Sequence, residues 1–156
     1  CDAAAKRLMR DDDELRQQLT RLVGKGTYIN KVLQKAVLAK FLLASEGNKQ
    51  AVNAVVHPAV ARDFMQSDYQ WLESAILFDS GFDQRVPFDR IVCVTAPIDV
   101  RVERIMRRDN ITREKALEWI HCQMPQDEMA RRSTFVITND GEEDLEQQID
   151  KLLNHQ

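Results

Sequence analysis

Scarcity defines this chain of 156 residues: five glycines, four prolines and three cysteines. Cys1, Cys93 and Cys122 are odd in number, widely spaced and contain no C-x-x-C pair. His57, His121 and His155 form no ligand-spaced cluster. This argues against a zinc site or a disulfide framework, and a reducing, cytoplasmic setting is the default expectation. No apolar run approaches bilayer length, since the longest, Val37 to Ala44, is broken by Lys40. No secretory signal and no membrane association are expected. Net charge is −3 with acids and bases mixed. No basic tract or aromatic platform suits a nucleic acid.

What is present is concentrated after Asp89. Ile91 to Thr95 is β-branched and reads as a buried strand. Pro97 opens a helix on which Ile98, Val102 and Ile105 repeat at core spacing. Asp99, Glu103 and Arg107 occupy a solvated face. Arg101, Arg104 and Arg108 fall within about a sixth of a turn of one another on a third face. Guanidinium groups crowded in this way repel one another unless an anion joins them. Phosphate fits, because the planar fork binds its oxygens in pairs. Neutralisation by Asp109 or Glu103 is the plainer reading of the same residues.

Residues 2–67 read as nearly all helix. Asp2 caps a helix over 3–9. Asp11 to Asp13 start another through Val23, which ends at Gly24 and Gly26. Asn30 caps the next, Gly47 breaks it, and Asn48 caps a short helix over 49–56. His57-Pro58 interrupts before a last helix to Met65. Tyr69 to Phe78 reads as a strand ending at Asp79-Ser80-Gly81. Thr112 caps a helix through Met124, and Pro125 breaks it before a short continuation over 126–132. Phe135 to Thr138 is a further strand, and Glu142 to Leu153 a final amphipathic helix. Strands alternating with helices imply a parallel α/β sheet.

In order and spacing, several segments resemble the dephospho-coenzyme A kinase family of the P-loop nucleoside-monophosphate-kinase superfamily. They are Asp2 with Ala5-Lys6-Arg7-Leu8, the run Val52 to Pro58, Glu73 to Gly81, Arg104-x-x-x-Arg108-Asp109, Gln123-Met124-Pro125 and Asn139-Asp140-Gly141. The resemblance implies a P-loop kinase-type parallel sheet with helices on both faces. Residues 1–67 would form a helical substrate-binding region, and 68–156 an α/β core carrying a helical lid over 98–132. The implied activity is ATP-dependent phosphorylation of the ribose 3′-hydroxyl of dephospho-CoA, with Mg2+, by a monomer or weak homo-oligomer.

The resemblance also assigns roles. Asp2 would be the general base or a magnesium-associated acid, where the residue alone reads as a helix cap. His57, Lys6 and Asp79 would bind substrate. His57 alone reads as ordering the turn before Pro58, and Asp79 as turn chemistry before Gly81. Arg104 and Arg108 would stabilise the transferring phosphoryl group. Gln123, Asn139 and Gly141 would join Arg108 around ATP. Gln123 is otherwise a surface amide, and Asn139 and Gly141 a capping turn. No protein-held metal site is expected.

The sequence departs from the family in three places. It has no G-x-x-x-x-G-K-[ST] loop, and Gly24-Lys25-Gly26 follows a helix rather than a strand. The expectation is therefore a chain without the N-terminal strand-loop-helix unit and, taken alone, inactive. Ser133-Thr134 stands where the family has Ala-Asp, and Asp79 where it has Glu. Two other readings remain: another small-molecule kinase of the superfamily, or a non-catalytic module that binds dephospho-CoA.

Overall fold

The computed structural model describes residues 1–154, so His155 lies outside the described residues. The chain divides into two units, Cys1–Val86 and Pro87–Gln156. The first contains α1 (Asp2–Asp11), α2 (Asp13–Val23), β1 (Tyr28–Ile29), β2 (Val32–Leu33), α3 (Lys35–Ala44), α4 (Glu46–Met65) and α5 (Phe82–Arg85). The second contains β3 (Val92–Thr95), α6 (Ile98–Asp109), α7 (Arg113–His121), α8 (Gln126–Arg132), β4 (Phe135–Thr138) and α9 (Leu145–Asn154).

In the first unit, α4 packs against α1, α2, α3 and α5. Its Val52, Val56, Ala59 and Val60 recur at helical spacing and are buried with Leu8, Leu15, Leu19 and Leu38. Pro58 lies within α4 and does not end it. A proline there removes one amide donor and crowds the preceding turn. The helix continues because Ala59, Val60 and Ala61, just beyond it, are all buried in the core. The expected break at His57-Pro58 is therefore absent. Gly47 does not break a helix either. Ser45 accepts a hydrogen bond from the Asn48 amide at 3.1 Å and caps α4, so Gly47 falls in its first turn.

Asn30 caps no helix. Asn30 and Lys31 take positive φ (49° and 66°) and form the two-residue turn of the antiparallel hairpin β1–β2. Such turns match the twist of the flanking strands. At α1 the cap position is Cys1, and Asp2 is the first helical residue. Asp12 caps α2 by accepting from the Leu15 amide at 2.9 Å.

The strand expected over 69–78 does not form. A strand needs a neighbour for its backbone groups, and among the described residues none pairs with this segment. Its end closes instead through turn bonds, Ser80 N–H to Ile76 O at 2.9 Å and Phe82 N–H to Leu77 O at 3.0 Å.

In the second unit β3 and β4 pair in parallel, Val92 with Phe135 through Thr95 with Thr138, as expected of an α/β chain. Val102, Ala116 and Ile120 are buried together, flanked by Ile105, Met106, Ile111 and Leu117. Ile98, expected in that core, is 47% exposed, because it opens α6 a full turn before the packed stretch. Thr112 caps α7 through the Lys115 amide. The helix stops at His121 rather than Met124, since Pro125 disfavours helical geometry in the residue before it. The last helix starts at Leu145 rather than Glu142. Asp140 draws the Glu142 and Glu143 amides into a turn at 2.9 Å each, and Asp144 takes the Gln147 amide.

Leu19 is fully buried where α2 meets the core. Truncating Leu19→Ala should cost about 2–5 kcal/mol of unfolding free energy in urea denaturation. A loss under about 1 kcal/mol would mean that the surrounding helices collapse around the void.

Candidate functional site

Two helices of the first unit converge on a cavity of about 490 Å3. Asp2, Ala5 and Met9 supply one wall from α1, and Val52, Asn53, Val56 and His57 another from α4. Both sets follow helical spacing, so each is a single stripe. Of the residues expected to bind or act, Asp2 and His57 meet here. Lys6 does not line the cavity. It sits about 40° around α1 from Asp2, at the border of the lining stripe. Asp79 does not end a strand; it lies exposed in the turn before α5, while its neighbour Ser80 reaches the cavity.

Glu73, Ser74 and Phe82 also line the cavity. Sequence reasoning gave them no role. Glu73 and Ser74 were hidden inside an apparent strand, and Phe82 follows the Asp-Ser-Gly turn with no polar signature. The signal that could have found them is the turn itself, which folds the 73–82 segment back toward α4. Gly81 makes this possible with φ of 65° at the start of α5. Arg85 fastens the turn, its Nη1 donating to the Ser80 and Gly81 carbonyls at 2.7 Å each.

His57 is half-buried, and its ring meets Phe82 edge to face at 6.4 Å between centroids. Burial lowers its pKa below the ordinary 6.5. The Arg85 charge lowers it further, and a backbone hydrogen bond at Ser80 opposes both. The neutral ring is thus the form the cavity favours, able both to donate and to accept a hydrogen bond.

In the second unit, Arg104 and Asn139 meet at the carboxyl ends of β3 and β4, the edge where open α/β sheets bind ligands. Arg104 Nη1 donates to the Asn139 carbonyl at 2.7 Å, and Nη2 to its Oδ1 at 3.3 Å. The Asn139 amide returns to the Thr95 carbonyl at 2.7 Å, so α6, β3 and the loop after β4 are tied at one point. Asp140 beside it is held below the usual carboxylate range, chiefly by the Glu143 and Glu142 amides, with Arg104 adding. Gly141, with φ of 97°, carries the loop on. It and Asn139 precede the last helix rather than begin it.

Two of the three arginines on this face of α6 are engaged within the chain. Arg104 is engaged as described. Arg108 is exposed and paired with Asp109 at 2.7 Å, which raises its pKa. Gln123 is exposed in the turn between α7 and α8, not on a helix. The amide that pins this region is instead Gln126, whose Oε1 accepts from the Ala96 N–H at 3.0 Å just past β3. Among the described residues no group of three or more His, Cys, Asp or Glu side chains is placed to hold a metal ion.

The lowered His57 pKa sets a pH dependence. As pH falls, the unfolded chain takes up this proton before the folded one does. The site's contribution to stability is complete above about 6.5 and is lost as pH falls through the lower folded value. Between pH 7 and pH 5, urea denaturation should show a shallower fall in stability for His57→Gln than for the unaltered chain. Parallel curves would remove His57 as the source.

Comparison with known proteins gives a consistent family. The family model described as CoaE, dephospho-CoA kinase, matches residues 1–144. A Bacteroides fragilis dephospho-CoA kinase is 40% identical over 159 aligned residues, covering 97% of this chain and 77% of its own. A Thermus thermophilus dephospho-CoA kinase is 32% identical, with 97% and 75% covered. A crystal structure of a protein from Thermus thermophilus superposes with a TM-score of 0.72 at 33% identity, covering 97% of this chain and 80% of that one. At 18% identity and a TM-score of 0.56, a dephospho-CoA kinase from Campylobacter jejuni shares the fold.

Proposed function

The chain belongs to the dephospho-CoA kinase family, which catalyses the last step of coenzyme A biosynthesis, and we propose how its residues divide that work. The reaction moves the terminal phosphoryl group of ATP onto the ribose 3′-hydroxyl of dephospho-CoA. The observation that carries the assignment is the meeting of Asp2 and His57 in one cavity, each from a separate helix. Residues 1–67 would supply most of the substrate region, completed by the 73–82 segment. Residues 98–132 would form the lid.

Asp2, which lines the cavity, would orient the 3′-hydroxyl and accept its proton as the new oxygen–phosphorus bond forms and ADP leaves. A loose phosphoryl-transfer transition state asks little more of a base than this. His57, kept neutral, would hydrogen-bond the ribose. Val52, Val56 and Phe82 offer apolar surface to the rest of the substrate. Lys6 at the border and Asp79 in the turn beside Ser80 would contact substrate that extends outside the cavity.

Arg108 would exchange the Asp109 carboxylate for ATP phosphate, giving up a solvent-exposed pair that is worth little. Arg104 uses two of its donors on Asn139 and keeps others for phosphate. Asn139 and Gly141 would receive the adenine, and Gln123 would contact ATP from its turn. Mg2+ carried with ATP would supply charge stabilisation at the phosphates. Among the residues of the cavity, Asp2 is the carboxylate that would hold such an ion. Among the described residues no helix is long and apolar enough to cross a membrane. The reading carries a cytoplasmic monomer or weak homo-oligomer that acts on small molecules and not on nucleic acid.

Steady-state ATP-coupled assays with dephospho-CoA, on a protein that also carries a phosphate-binding loop, together with calorimetric titration of dephospho-CoA, test these roles. Asp2→Asn should lower kcat by about 10²-fold or more with KM little changed. His57→Ala should weaken dephospho-CoA binding by about 10-fold. Arg108→Ala should lower kcat by about 10²–10³-fold and leave dephospho-CoA affinity intact. Wild-type turnover in Asp2→Asn would remove the base. Unaltered binding in His57→Ala would move the substrate out of this cavity.

A further inference from the structure

A second concavity, of about 350 Å3, lies between α2 and the β1–β2 hairpin. Asp13, Arg16, Gln17, Thr20 and Arg21 line it from α2. Their spacing of i, i+3, i+4, i+7 and i+8 places all of them on one helix face. Tyr28 and Lys31 line it from the hairpin. Neither the cavity that holds Asp2 and His57 nor the carboxyl edge of β3–β4 includes any of these residues.

The charges are unbalanced. Arg16, with 12% of its side chain exposed, is committed within the chain. It donates to Asp13 and to the Arg10 carbonyl. That pairing uses the one acid of the concavity. Arg21 and Lys31 have no hydrogen-bond or ion-pair partner among the described residues. Two cations therefore face one recess with no internal anion left for them. Gln17 adds neutral amide donors. The Tyr28 hydroxyl is already spent, donating to the Met9 carbonyl at 2.7 Å, so the ring is fixed as a wall.

The turn supplies a second, independent indication. Lys31 occupies the second central position of the hairpin turn with φ of 66°. Glycine is the residue that this position favours, because a side chain there is strained. The turn places Lys31 at the concavity, opposite the α2 residues that line it. We propose that Arg21, Lys31 and Gln17 form an anion site that takes a phosphate or diphosphate group, separate from the catalytic residues. Its chemistry is that of a guanidinium fork and an ammonium group closing on phosphate oxygens.

Nuclear magnetic resonance titration of the protein with pyrophosphate at constant ionic strength tests this. Saturable shifts are expected in the Gln17 side-chain amide and the Arg21 Nε–H. The Arg21→Gln, Lys31→Gln double variant should weaken them by about 10-fold or more. Both residues are exposed, so the fold should survive. Lys31→Gly separates binding from structure. It should raise the thermal midpoint by relieving the turn, and it should still weaken pyrophosphate binding. A parallel titration with dephospho-CoA identifies the source. Shifts at the same residues would assign the group to a nucleotide diphosphate, and their absence beside a pyrophosphate response to free phosphates. Absence of saturable shifts with either ligand, or shifts of unchanged affinity in the double variant, would overturn the site.

Discussion

The continuity of α4 through Pro58 is the constraint on which the first unit rests. A break there would free the second half of the helix from the first. His57 would then be a loop residue, and Val52 and Val56 would lose their register with Ala59 and Val60. The missing amide donor of Pro58 is a local loss. Burial of the three residues beyond it outweighs that loss, because apolar area removed from water accumulates along the whole helix. One uninterrupted rod therefore serves four helical neighbours and presents a histidine to the cavity at a fixed angle.

In the second unit the corresponding device is polar. Two short parallel strands cannot organise a site by themselves, since a sheet this narrow is only marginally stable. Arg104 bridges the helix above them to the loop beyond β4, and Gln126 bridges α8 to the residue after β3. Gln148 adds a third tie, exchanging hydrogen bonds with both backbone groups of Thr138. Arg104 and Gln126 lie 35 and 30 residues from their partners and Gln148 lies 10 from its own, so the strand ends are held from several directions at once. A loop that meets an anionic nucleotide gains from being fixed before the ligand arrives, because ordering then costs less on binding.

Much of this was legible in the sequence. The strands at 92–95 and 135–138, their parallel sense, the Thr112 cap and, Ile98 apart, the exposed and buried faces of α6 follow from local pattern and capping chemistry. The mixed α/β fold is of the P-loop kinase type, in agreement with the order of motifs. What escaped was decided by distant partners. The apolar run at 69–78 carries a strand-like composition, yet a strand is a relation between segments and not a property of one. Pro58 and Gly47 are strong local signals that tertiary burial and a better-placed serine cap overrode. At the site, Asp2 and His57 are named by the family resemblance, since the residues alone read as a helix cap and a turn before proline. Glu73, Ser74 and Phe82 could not be nominated, since only the folding back of their segment brings them to the cavity.

The three thiols differ in a way that bears on how this protein can be handled. Cys93 is buried in β3, and burial pushes its thiol up despite opposing contributions from Arg101 and Ser133. Little thiolate forms there, and reagents have poor access to it. Cys122 stands exposed at the end of α7. A maleimide dye should therefore favour the α7–α8 corner over the sheet, and replacing half-buried Cys1 with serine would leave one readily labelled position on the segment assigned to the lid. The chain thus carries a built-in attachment point for watching that segment by fluorescence, with its sheet left chemically untouched.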